Sequence, residues 1–115
     1  MEDSFPDDEN GDVLRRMKEQ GDDLSSPRDV DFSVVFPDEA SAIKFIARIE
    51  KQFEKVRYSE IETSRPLKWD VTATRFMIPS HQEITRTEQL LEKSAASFGG
   101  ENDGWGCFNI NNPPV

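Results

Sequence analysis

Apolar and polar positions alternate most cleanly over residues 30–36. Val30, Phe32, Val34 and Phe36 fall on one face of an extended segment, and only Val35 adds an apolar side chain to the other. A period of two over this length predicts a strand with one strongly apolar face. Pro37 stops it, and Asp38 follows at the N-cap position of a helix. There its carboxylate can accept free backbone N–H groups and meets the positive end of the helix dipole. Within that helix Ala42, Ile46, Ile49 and Phe53 recur at spacings of four, three and four, and Ile43 and Phe45 widen the stripe.

Residues 55–62 alternate through Val56 and Tyr58 and lose phase before Ile61. Over 67–78, Leu67, Trp69, Val71 and Ala73 oppose Lys68, Asp70, Thr72 and Thr74. The short connection between these runs predicts an antiparallel hairpin. Pro79 ends the second run, and Ser80 with Glu83 matches a capping box. The helix it opens presents Ile84, Thr87, Leu91, Ala95 and Phe98 on one face, with Gly99 placed as a left-handed C′ residue. A last strand is predicted over 105–110, and 111–115 form a frayed tail. Ahead of the first strand, 11–24 read as a short helix. Asp12 is its expected cap, Val13, Leu14 and Met17 its apolar stripe, and Gly21 its end.

Strand, helix, strand, strand, helix, strand predicts an α+β fold of the ferredoxin-like (βαββαβ) kind. Its antiparallel sheet carries helices on one face, and a further helix is added at the N-terminus. A single domain is expected over 11–110. Residues 1–10 are acidic and expected to be disordered, so that removing them leaves the melting temperature nearly unchanged.

The 115 residues are 35% apolar and 32% charged, which fits one small globular domain. No apolar run approaches the roughly 18 residues of a membrane span. The acidic N-terminus has neither the basic nor the apolar region of a secretory signal, so a cytoplasmic protein is expected. Net charge is −9, of which residues 1–31 hold −7. That balance argues against binding to a nucleic-acid backbone, which needs clustered Lys and Arg. It permits a basic protein partner, because complementary charge speeds encounter. A solvating acidic segment is the plainer reading.

Candidate chemistry is sparse. One cysteine, Cys107, and one histidine, His81, cannot build a structural zinc site, and no intrachain disulfide can form. Cys107 reads as a small buried hydrophobe. Asp70 and Glu60, on neighbouring strands, are the one candidate carboxylate pair, and they also suit a solvated sheet face. No metal-ligand spacing and no nucleophile motif is present, so no cofactor, no metal and no enzyme is expected. A ferredoxin-like sheet can bind RNA through exposed aromatics, but no segment fits that signature, and Phe32 and Phe36 are expected in the core. The stretch GGENDGWG (99–106) is glycine-rich, yet it follows a helix and precedes a strand, the reverse of a phosphate loop. Glu101 and Asp103 would repel phosphate. Gly99 and Gly100 therefore read as helix breakers and Asp103-Gly104 as a turn pair. Trp69 reads as core; Trp105 reads either as core or as the anchor of a contact.

Two stretches resemble a known family. FGGENDGWG (98–106), after an amphipathic helix, is similar to the closing signature of the regulator of ribonuclease E activity B (RraB) family. LRRMKEQGDDLSSPRDVDFSVVFPDEASAIKFI (14–46) resembles its opening. The resemblance covers roughly residues 13 to 108. It implies a small cytoplasmic α+β protein without catalysis of its own that binds the endonuclease ribonuclease E and modulates RNA decay. With Glu101, Asp103, Gly104 and Trp105 as candidate partner-binding residues, a non-enzymatic protein-binding regulator is the leading expectation. A self-associating domain and an RNA-binding module are the alternatives.

Overall fold

The computed structural model describes residues 6–107. Helix α1 (Glu9–Glu19) leads to strand β1 (Arg28–Phe36), then to helix α2 (Glu39–Ile49), which tightens into a 3-10 turn at Glu50–Gln52. Strands β2 (Lys55–Glu60) and β3 (Trp69–Met77) follow, then helix α3 (His81–Ala96) and strand β4 (Glu101–Gly106). The strands form one antiparallel sheet in the order β2-β3-β1-β4. This is the α+β class the periodicities predict, with the expected β2–β3 hairpin.

Strand β1 lies inside the sheet because its sequence is the most apolar. Val30, Phe32, Val34 and Phe36 are all essentially without exposure. Above them sit Ala42, Phe45 and Ile49 of α2, Ile84, Leu91 and Ala95 of α3, and Leu14 of α1, with Val71 and Ala73 from β3. The Phe36 and Phe45 rings pack with centroids 4.8 Å apart. Each fully buried side chain of this size contributes about 1.5–3 kcal/mol relative to exposure. Helix α2 starts where the Asp38 carboxylate accepts the Ser41 N–H at 2.8 Å, and α3 where the Ser80 hydroxyl accepts the Glu83 N–H at 3.2 Å. Gly99 ends the α3 region at φ +73°, a conformation that favours glycine.

Three expectations need correction. Helix α1 is capped by Asp8, whose Oδ1 accepts the Gly11 N–H at 2.8 Å, and not by Asp12. Asp12 lies in the first turn and pairs with Arg15 at 3.0 Å. The helix therefore takes in Glu9 and Asn10, which the sequence pattern assigns to the acidic segment, so removing residues 1–10 takes away the cap and the first turn and is expected to lower the melting temperature. Ile43 does not widen the buried stripe of α2 but stands 48% exposed, since its rotation carries it past the sheet. The last strand begins at Glu101 and not at Trp105, so the glycine-rich stretch is itself the strand. Of the predicted 105–110 run, 108–110 lie outside the described residues, as do 1–5 and 111–115.

Gly100 permits that early start. A Cβ there would run into the ring of fully buried Phe36, so only glycine lets the chain turn onto β1 at this point. Gly100→Ala is expected to lower stability by about 1–3 kcal/mol, the usual range for overpacking a tight core. The measurement is a fall in the urea midpoint at unchanged slope.

Candidate functional site

Strand β4 carries one residue too many for its partner. Asn102 lies opposite Val34 and Trp105 opposite Phe32, so three steps on β4 match two on β1. Gly104, at φ +103°, takes up the extra residue as a β-bulge. An unbulged strand would put Asn102 and Trp105 on opposite faces, because side chains alternate. With the bulge both face the helices.

There they join one hydrogen-bonded network. The Trp105 indole N–H donates to Asn10 Oδ1 at 2.8 Å. Asn10 Nδ2 donates in turn to Glu88 Oε1 at 2.9 Å and to Thr85 Oγ1 at 3.2 Å. Asn102 Nδ2 donates to the other Glu88 oxygen at 3.0 Å, and Asn102 Oδ1 accepts the Gly104 N–H at 3.3 Å. Helix α1 is thus tied to α3 and β4 through polar groups, beside the apolar contact of Leu14. Trp105 is partly buried against the core and lines a shallow groove of about 140 Å³ with Glu9, Asn10, Val13 and Gly104.

Glu101 and Asp103 go the other way. Glu101 lies opposite Val35, and Asp103 follows helix-facing Asn102, so both belong to the face of the sheet without helices. Asp103 meets Arg65 at 3.7 Å. Arg65 sits on the connection between edge strand β2 and its neighbour β3, so that connection crosses the open face toward β4, near fully buried Val35. The four candidate partner-binding residues therefore share a strand but not a surface.

The two candidate reactive groups stay apart. His81 begins α3 and places Nε2 2.9 and 3.1 Å from the two oxygens of Asp8. Cys107 lies instead beside Arg28, and burial pushes its thiol up against the pull of that guanidinium. A thiol so held is a poor nucleophile near neutrality. Register separates the candidate carboxylate pair as well: Asp70 lies opposite Ser59, and Glu60 opposite Trp69. Among the described residues, no group of three or more His, Cys, Asp or Glu side chains is placed to hold a metal ion. No helix among them is long and apolar enough to cross a membrane.

Asp8 supports a prediction in pH. The Gly11 N–H, and then the contact with His81, hold its carboxyl below the ordinary value near 3.8. A carboxylate whose folded pKa is lowered stabilises above its unfolded value, and that stability is lost as pH falls through the folded one. Asn caps a helix as well as Asp does, so Asp8→Asn removes only the charge. The wild-type chain is expected to exceed this variant in urea midpoint near neutrality, and the gap is expected to close below about pH 3.8.

Sequence patterns missed two features. One is a buried ion pair: Arg28 Nη1 lies 2.9 Å from Asp22 Oδ2, with side-chain exposures of 5% and 0%. Burial works against the Arg28 charge, yet the Asp22 carboxylate holds its pKa above the ordinary value. The other is a groove of about 450 Å³ on the open face, lined by Asp29, Asp31, Lys55, Arg57, Thr74 and Cys107. Thr74 Oγ1 donates to Asp31 Oδ1 at 2.5 Å, and Arg57 reaches Asp31 Oδ2 only at 3.5 Å. The alternation of charge and threonine along these strands marked a polar face, but pairing across three strands was needed to see a groove.

Residues 7–107 match the family described as regulator of ribonuclease activity B. The chain belongs to that family. Among curated proteins none matches the chain. As in the resemblance drawn from the two quoted stretches, the RraB match reaches from the first helix to the final strand. The Asp-Gly-Trp element of this RraB chain builds the bulge and the α1 clamp.

Proposed function

We propose that the chain is a non-catalytic cytoplasmic regulator that binds a ribonuclease, with ribonuclease E the partner to test first. The observation that carries this reading is the family match over residues 7–107, whose description is regulation of ribonuclease activity. The strand order β2-β3-β1-β4, antiparallel throughout, supports the ferredoxin-like reading of the fold. Such a sheet leaves one face free of helices. We place the partner contact on β4: Glu101 and Asp103 present carboxylates on that face, while Gly104 and Trp105 hold the strand in position. A partner with a basic patch suits a chain of net charge −9.

The test is cleavage of a defined RNA by purified ribonuclease E with the chain in excess. Slower cleavage is expected, together with a complex on size-exclusion chromatography that weakens as salt rises. Unchanged cleavage with no complex rejects the reading.

A further inference from the structure

On the open face, no helix among the described residues covers the end of the sheet away from Arg65. Phe76 is 57% exposed there and Ile78, two residues on, 48% exposed. This apolar pair adjoins the polar groove, so the two together form a candidate contact surface. Register puts Asp29 directly opposite Phe76. Glu54, at the start of the neighbouring strand, accepts the Phe76 N–H through Oε1 at 2.8 Å. Across the sheet the exposed ring has the Asp29 carboxylate beside it, the Glu54 carboxylate is held at its backbone N–H, and a third, Asp31, lies two residues along from Asp29. The long Arg57 contact leaves Asp31 acceptor capacity, since 3.5 Å is at the limit of a hydrogen bond.

We propose that this patch docks an extended partner segment in which a basic side chain stands two positions from an apolar one, so that both face the sheet. The inference rests on the protein-binding reading above and adds the chemistry of the partner. A guanidinium can lie on the Phe76 ring and meet Asp29 and Asp31 at its edge. The apolar side chain covers Ile78. Lys55 and Arg57 form the far wall of the groove, so a segment that is basic along its whole length is disfavoured, as is a phosphate backbone that must pass the three carboxylates. Charge complementarity selects this occupant over a second copy of the chain, which carries the same net charge of −9.

The probe is a peptide of about twelve residues in which arginine and leucine alternate at every second position with threonine between them, so that both share one face, titrated into the isotope-labelled full-length chain. Saturable binding is expected, with amide shifts concentrated at Asp29–Asp31, Glu54 and Phe76–Ile78. Phe76→Ala with Asp29→Asn is expected to weaken it about tenfold, from one lost cation–π contact and one lost charge. Both residues are exposed, so the melting temperature should hold, and Phe76→Leu provides a second variant that keeps apolar bulk. Any one of several results overturns the proposal: shifts centred elsewhere, equal binding of a glutamate-for-arginine peptide or a single-stranded oligoribonucleotide, unchanged affinity of the double variant, or dimerisation that depends on Phe76. If ribonuclease E binds the wild-type chain but the peptide does not, only this inference falls. If the peptide binds here and ribonuclease E does not bind, the choice of partner falls instead.

Discussion

Replacing Arg28 by methionine is expected to destabilise the chain by about 3–5 kcal/mol, the largest single loss foreseen for any polar side chain here. The reason is what remains behind. Asp22, with no exposed side-chain surface, would keep a buried carboxylate without the guanidinium 2.9 Å away. Arg28 also ties down the 22–27 connection, since its Nη2 donates to the Asp23 carbonyl at 2.7 Å and to the Ser26 carbonyl at 3.3 Å. That connection carries α1 into central strand β1, so its loosening reaches Leu14 in the core. For a domain whose total stability is of order 5–15 kcal/mol, the variant is close to unfolding. Asp22→Leu alone should be similarly damaging, because it removes the counter-charge of the buried guanidinium. Asp22→Leu with Arg28→Met should recover most of the loss, since an apolar pair of similar volume replaces a buried ion pair at little net cost. Urea denaturation of the three variants forms a double-mutant cycle. Additive losses would mean that the pair does not act as a unit.

What could be read in the sequence follows from how far apart the interacting residues lie. The face Val30, Phe32, Val34 and Phe36 was legible because burial on one side of a strand repeats every two residues, whatever covers it. Asp38, Ser80 and Gly99 were legible because capping is settled within four residues. Asp12 was misread for the complementary reason. Both it and Asp8 suit a cap locally, and the choice falls to Asp8, which also meets His81, 73 positions away. The early start of β4 was hidden likewise. Asp103-Gly104 looks like a turn pair, and only pairing with β1 makes it a bulge. The candidate site suffered most. Glu101, Asp103 and Trp105 are neighbours in sequence, but alternation and one extra residue send them to different faces. The partner of Trp105, Asn10, is 95 positions distant.

That clamp leads to the second large effect. Trp105→Ala is expected to lower stability by about 2–4 kcal/mol: it removes a large ring packed against the core and leaves the Asn10 carbonyl without its donor. Trp105→Phe isolates the hydrogen bond, because most of the ring area remains while the indole N–H is lost. A loss of about 1 kcal/mol is expected for it, near the usual net value of one hydrogen bond. Asn10→Ala should be worse than its small size implies, because one Glu88 oxygen and the indole N–H both lose their partner. Together these variants separate two roles for Trp105. The indole N–H is already engaged within the chain, and the ring faces α1 and not the open sheet. Folded Trp105→Phe is therefore expected to bind ribonuclease E within about threefold of wild type, a difference of less than one hydrogen bond. Glu101→Lys with Asp103→Lys, on the open face, should weaken binding more while leaving the fold intact. Should the phenylalanine variant remain folded yet lose the partner, Trp105 would itself be the anchor, and the contact would have to be moved from the open face of β4 to the groove beside α1.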